Sequence, residues 1–113
     1  MAMQKYGNKS TVVDGETFSS LLEARRYREL VIMQRSGAIT DLKTQVAYVL
    51  CPSVVIAGRK RRSMRYIADF VYKDDEGKTV VEDAKGVLTP VYKLKRHLMM
   101  HVHGIKINEI FQR

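Results

Sequence analysis

Asp69, Asp83 and Lys85 stand in two short segments, YIADFVY and TVVEDAKG, whose other positions are mostly apolar. Charged side chains in a sheet covered on both faces are costly unless each finds a partner, and three kinds serve: one another, a metal ion or a charged substrate. Two carboxylates beside one ammonium suit a cation and an anionic group held at the same place.

The two segments read as strand, polar turn, strand, with Asp74–Gly77 (DDEG) as the turn. Alternation puts Ile67, Asp69 and Val71 on one side of the first strand, and Val81, Asp83 and Lys85 on one side of the second. The opposite sides, Ala68 with Phe70 and Val80 with Ala84, are apolar apart from Glu82, so the sheet is predicted to be covered on both faces. Alternation also separates Glu82 from Lys85 and assigns Asp83 to the lysine's side.

Upstream, Ser20 and Glu23 fit a capping box, and Phe18 is placed to pack on the first turn of the helix that follows. That helix is predicted over Ser20–Arg35, ending at Ser36-Gly37. At about 100° per residue, Ala24, Tyr27, Leu30 and Val31 share an apolar stripe that also contains Glu23. Glu29 falls on the far side, near Arg25 and Arg26. Glu23 therefore points inward, a role that competes with capping. Arg25, Arg26, Arg28 and Arg35 read as a solvated face.

At 113 residues the chain is one domain, long enough to bury roughly 65% of its unfolded surface around one core. Twenty Lys plus Arg against twelve Asp plus Glu give a formal charge of +8 and a pI near 9.8, which favours a polyanionic partner, nucleic acid before membrane. The single Cys51 excludes an internal disulfide framework and a cysteine-rich zinc site. No apolar run reaches the length of a membrane span, and the N-terminus lacks the apolar core of a signal peptide, so a cytoplasmic protein is expected.

The rest of the chain supplies a frame. Residues 1–11 read as a polar, basic arm, and Val12–Glu16 as a short extended piece with a turn. Asp41–Thr44 reads as a connection before a strand over Gln45–Leu50. Pro52 interrupts it, and Val54–Ile56 continues toward a turn at Ala57-Gly58. Arg59–Arg62 (RKRR), followed by Arg65, makes a strongly basic hairpin tip whose mutual repulsion phosphates would relieve. Thr89-Pro90 announces a second helix, with Val91, Leu94, Leu98 and Val102 as its apolar stripe and Lys93, Arg96 and His97 on a basic back. It ends at Gly104, before a last strand over Ile105–Ile110. His101 and His103 are not at a helical zinc spacing.

The order is thus helix, three strands, helix, strand. With an inward Glu23, Asp69 in the second strand and Asp83-Ala84-Lys85 in the third, the chain resembles the PD-(D/E)xK nuclease superfamily. Its active site pairs a helix glutamate and a strand aspartate with an acidic residue two before a lysine. More narrowly, KYGNKSTVVDG, SLLEARRYREL, YIADFVY and VVEDAKG resemble a small phage-encoded family of that superfamily, and the nuclease folds of transposon end-cleaving enzymes and some Holliday-junction resolvases. Ala68 stands where the namesake motif has proline.

The resemblance implies an α/β fold with a restriction-endonuclease-like core, a central mixed sheet flanked by helices, formed by a single domain. It also implies a metal-dependent DNA endonuclease with Glu23, Asp69, Asp83 and Lys85 as catalytic residues. Mg²⁺ (or Mn²⁺) keeps several waters and uses one or two protein carboxylates, which Asp69 and Asp83 offer; Glu23, directly or through water, and the Ala84 carbonyl would complete the set. Lys85 would orient water or stabilise the transition state as a fixed positive charge. Arg59, Lys60, Arg61, Arg62, Arg65, Lys93 and Arg96 are the expected DNA contacts, and Gln45 a substrate contact. Branched DNA such as a Holliday junction would require a homodimer, since two strands are cut symmetrically. The alternative from another class is an accessory DNA-binding protein that keeps the fold without turnover. A phage-encoded protein would act in the host cytoplasm.

Overall fold

The computed structural model describes residues 10–112; most of the expected basic arm, residues 1–9, lies outside them. Strands β1 (Thr11–Val13) and β2 (Glu16–Phe18) form a hairpin. Its two turn residues, Asp14 and Gly15, have φ of 51° and 80°, the left-handed pair that matches the twist of a two-residue hairpin. Helix α1 (Leu21–Arg35) follows, then β3 (Thr40–Cys51), a second hairpin of β4 (Val54–Ile56) and β5 (Arg59–Arg61), the long strands β6 (Met64–Lys73) and β7 (Thr79–Lys85), helix α2 (Pro90–His103) and β8 (Asn108–Phe111).

The central sheet has four strands in the order β3-β6-β7-β8. The pairs β3–β6 and β6–β7 are antiparallel, and β7–β8 is parallel, so the chain returns through α2 to place its last strand beside β7. The protein is a mixed α/β domain with two helices and a mixed sheet, and its main elements follow the predicted order with two hairpins added.

Each helix covers its own apolar cluster. Ala24, Tyr27, Leu30 and Met33 of α1 pack with Phe18, Phe70, Tyr72 and Val80, whereas Tyr92, Leu98 and Met99 of α2 pack with Tyr66, Ala68, Val71 and Val81. Val71 pairs with Val81 and Tyr72 with Val80; successive strand residues face opposite ways, so the clusters occupy the two faces of the sheet. Fully burying side chains such as Phe70 and Leu30 contributes roughly 1.5–3 kcal/mol each. Along β6 the buried side changes partner between Phe70 and Ala68, at Asp69.

Several boundaries differ from expectation. Strand β3 begins at Thr40 and includes the segment 41–44. That polar run is tolerated because β3 is an edge strand, and a register shift between Thr40 and Lys43, with Asp41 at φ 59°, absorbs the irregularity. Beyond Pro52, residues 54–56 do not extend β3. They pair with Arg59–Arg61 as a separate two-stranded ribbon, which puts the cations in a strand and leaves only Ala57-Gly58 at the tip. In α2 the buried residues are Tyr92 and Met99, while Val91, Leu94 and Val102 are exposed. The packed face is therefore displaced round the helix from the predicted stripe. The Tyr92 ring buries more area than any of those aliphatic residues, and its hydroxyl has a carboxylate partner on β8. Strand β8 starts three residues later than predicted, after the buried Ile107.

Candidate active site

The N-terminus of α1 sets the first carboxylate. Ser20 is the N-cap, and its side chain accepts from the Glu23 backbone N–H at 3.1 Å. The Glu23 side chain makes no reciprocal contact with Ser20. One of its oxygens accepts from the Ser19 hydroxyl at 2.8 Å and the other from Gln45 Nε2 at 3.2 Å. Half of the capping box is thus formed, and the glutamate is released for the interior, where it is 3% exposed. Burial, foremost, holds its pKa above the usual carboxylate value, opposed by the bonds at Ser19.

The second feature is a divergence of two strands. The β6–β7 ladder runs from Lys73↔Thr79 to Phe70↔Glu82 and stops. Beyond it, Asp69 takes the place of a ladder partner: its Oδ2 accepts from the backbone N–H of Ala84 at 2.9 Å. Across the sheet, the β3–β6 register puts Gln45 opposite Asp69, and Gln45 has a left-handed φ of 54°. A non-glycine residue in that conformation inside a strand carries strain, the kind found at functional sites. Gln45 is exposed and reaches the site through Glu23.

The divergence opens a cavity of about 380 Å³ lined by Glu23, Asp69, Asp83, Ala84 and Lys85. The four predicted site residues and the predicted backbone ligand thus come together. Lys85 makes an ion pair with Asp83 and lies over the Tyr92 ring, with Nζ 3.7 Å from the ring centre. Tyr92 is fixed in turn by its hydroxyl, which donates to Glu109 Oε2 at 2.6 Å, and Glu109 is the parallel-strand partner of Asp83. Asp69 is pushed up to about 8, first by burial, then by the charge and hydrogen bonding of Asp83 and the charge of Glu23, against the opposing bond from Ala84.

Ser19, Tyr66, Tyr92 and Lys95, which sequence reasoning did not single out, are among the other residues that line the cavity. Among the described residues the buried Tyr66 hydroxyl has no hydrogen-bond partner, and burial followed by the charge of Asp83 keeps it protonated. Only the pairing of the strands reveals Tyr66, Tyr92 and Glu109. The Tyr residues were visible as members of strand and helix segments, but nothing in their spacing ties them to Asp83.

The reverse face of β7 is organised differently. Glu82, 2% exposed, receives Arg26 Nε and Nη2 in a two-pronged pair, both at 2.8 Å, and the Tyr72 hydroxyl. Arg26 is therefore not part of a solvated face, as its position on the helical wheel suggests. It stands three residues after buried Glu23 and four before buried Leu30, at the edge of the packed face, and Glu82 and Glu29 raise its already high pKa. This assigns Glu82 to structure and Asp83 to the cavity, as alternation predicts.

Of the expected DNA contacts, Arg59, Lys60, Arg61, Arg62, Arg65 and Lys93 are exposed. Arg96 is not available in the same way, because it is half-buried and paired with Glu109 at 2.9 Å. No helix among the described residues is long and apolar enough to cross a membrane.

Among the described residues, no group of three His, Cys, Asp or Glu side chains stands close enough together to hold a metal ion. Glu23 is held back by Ser19 and Gln45, leaving Asp69 and Asp83 as the close acidic pair. Two carboxylates suffice for a hydrated Mg²⁺. Among the described residues the buried Tyr66 hydroxyl beside this pair has no hydrogen-bond partner, and two adjacent carboxylates with a free donor nearby fit a hydrated divalent cation.

A family model described as "Protein of unknown function (DUF1064)" matches residues 3–111. No curated protein and no solved structure matches the chain. The chain belongs to the DUF1064 family.

Proposed function

We propose that this member of the DUF1064 family is a metal-dependent DNA endonuclease with a restriction-endonuclease-like core. The observation that carries the reading is the meeting of Asp69, Asp83 and Lys85 with Glu23 at one cavity where β6 and β7 diverge. The element order, the mixed sheet between two helices and the formal charge of +8 support the same reading.

Asp69 and Asp83 would hold Mg²⁺ or Mn²⁺, with Glu23, directly or through water, and the Ala84 carbonyl as further donors. When bound, the ion supplies hydroxide at neutral pH and neutralises charge on the phosphate and the leaving oxygen. The chain's own residues do the remainder. Lys85, fixed between Asp83 and the Tyr92 ring, presents a positive charge to the phosphoryl oxygens as the water oxygen bonds to phosphorus and the leaving oxygen departs. The Tyr66 hydroxyl would offer a hydrogen-bond donor to the same space. Asp69 would act as a ligand in its carboxylate form, so proton and cation compete there and cation binding is expected to tighten as pH rises. The exposed cations of residues 59–62, with Arg65 and Lys93, would supply the DNA-binding surface.

The test is cleavage of linear duplex, single-stranded, splayed-arm and four-way-junction DNA in Mg²⁺, Mn²⁺ or EDTA. Metal-dependent cutting by the wild type, lost in Asp83→Ala and Lys85→Ala, is expected. Preference for the junction, with a dimer by gel filtration, would assign the resolvase-like class; a strict monomer on DNA would exclude it. Tight binding with no cutting in any metal would replace the enzyme with an accessory DNA-binding protein.

A further inference from the structure

The ribbon formed by β4 and β5 is unlike the rest of the molecule. All six of its strand residues are exposed, and among the described residues it pairs only within itself. An isolated two-stranded hairpin is marginally stable in water, yet this one presents Val54, Val55 and Ile56 in succession, with Val55 71% exposed. Its other strand is wholly cationic, and none of Arg59, Lys60 and Arg61 makes an ion pair with a carboxylate among the described residues. An apolar strand hydrogen-bonded to a basic one needs a partner that is anionic and also offers apolar contact.

We infer that this ribbon enters the major groove of B-form duplex DNA, so that the duplex is the form of nucleic acid the protein reads. The inference rests on the DNA part of the proposed function and names its substrate class. Paired strands lie about 4.8 Å apart, and a two-stranded ribbon fits the major groove, about 12 Å wide, but not the minor groove, about 6 Å wide. The deep, narrow major groove of A-form RNA excludes it. A single strand has no groove to fill.

The register defines which face meets the bases. Val54 pairs with Arg61 and Ile56 with Arg59, so alternation puts these four side chains on one face and Val55 with Lys60 on the other. The first face offers two guanidinium forks, each able to reach guanine O6 and N7, flanked by aliphatic groups that suit thymine methyls. Arg62 and Arg65, at the base of the ribbon, are left for the phosphates. Lys60 faces out of the groove.

This assignment separates charges that simple electrostatics treats alike. Fluorescence anisotropy in EDTA, where no cutting occurs, would compare the full chain on a duplex DNA, the duplex RNA of the same sequence and the single-stranded DNA. Arg59→Gln and Arg61→Gln are expected each to weaken duplex DNA binding roughly tenfold or more, and Lys60→Gln less than about threefold. Methyl green, which occupies the major groove, is expected to compete, and the minor-groove ligand netropsin is not. Equal losses for all three substitutions, equal affinity for the RNA duplex, or displacement by netropsin alone would overturn the inference. Circular dichroism of each variant checks the fold. The nuclease reading is scored apart from this, by cleavage in Mg²⁺ and its loss in Asp83→Ala: major-groove binding without cutting would retain the ribbon and remove the enzyme, and cutting without groove competition would do the reverse.

Discussion

Glu82 and Asp83 are neighbours on one strand and almost equally buried, at 2% and 3% exposure, yet the two faces of β7 treat their charges in opposite ways. On the α1 side, Glu82 is answered in full by the Arg26 guanidinium and the Tyr72 hydroxyl. On the cavity side, Asp83 pairs with Lys85, Asp69 and Glu23 line the same cavity with Lys95, and the Tyr66 hydroxyl has no partner among the described residues. The contrast distinguishes a buried charge that holds a fold together from a cluster whose charges its own chain leaves incompletely paired. The first is satisfied by its own chain. In the second, three carboxylates meet two lysines, Lys85 and Lys95, and burial with the charges of Asp83 and Glu23 holds the Asp69 pKa well above the usual carboxylate range.

The sharpest way to break that contrast is by activity. Lys85→Ala and Asp83→Asn should each reduce Mg²⁺-dependent cleavage by about 10²–10³-fold or more, while Tyr72→Phe on the other face should stay near the wild-type rate. A Tyr72→Phe variant as inactive as Lys85→Ala would erase the distinction between the faces.

Stability should move in opposite directions on the two sides. Arg26→Ala strands Glu82 without its counter-charge and should cost about 3–5 kcal/mol in chemical denaturation. Asp69→Asn removes a source of repulsion from the cavity and should raise the melting temperature of the metal-free protein at pH 8. If both substitutions destabilise, the cavity is not short of positive charge.

The pH dependence follows from the same proton. Asp69 has a folded pKa pushed up to about 8 from an ordinary 3.8, so its contribution favours the folded state fully below the ordinary value. That contribution is lost as pH rises through about 8. Metal-free protein should accordingly lose melting temperature between pH 5 and 8, and Asp69→Asn should flatten the slope.

A smaller effect is expected at Tyr92→Phe, which deletes the hydrogen bond to Glu109 but keeps the ring under Lys85. A loss of about 0.5–1.5 kcal/mol in stability, with cleavage within about threefold, would show that the ring holds the lysine; Tyr92→Leu should cut activity further.

Much of this contrast was legible in the sequence because it depends on local periodicity. Alternation alone sent Asp83 and Glu82 to opposite faces, and the helical period turned Glu23 inward. What escaped depends on reach and on distant pairing. Arg26, three residues after Glu23 and four before Leu30, flanks the buried stripe of α1, and its long side chain carries the charge to Glu82. Glu109 meets Asp83 only through a parallel pairing that spans α2. The face that α2 buries was misjudged because four aliphatic residues at helical spacing outnumber Tyr92 and Met99, although the aromatic ring and its hydrogen bond decide the packing. The left-handed Gln45, which marks the point where β6 changes its buried partner, has no counterpart in residue propensity.

The account depends most on the cavity side of β7 binding a divalent cation that the other side does not need. Electron paramagnetic resonance titration of Mn²⁺ at pH 6 and pH 8 would measure this directly. Binding by the wild type that tightens with pH, survives in Tyr72→Phe and disappears in Asp69→Asn and Asp83→Asn is the predicted result. No Mn²⁺ bound by the wild type at pH 8, or binding unchanged by both aspartate substitutions, would contradict it.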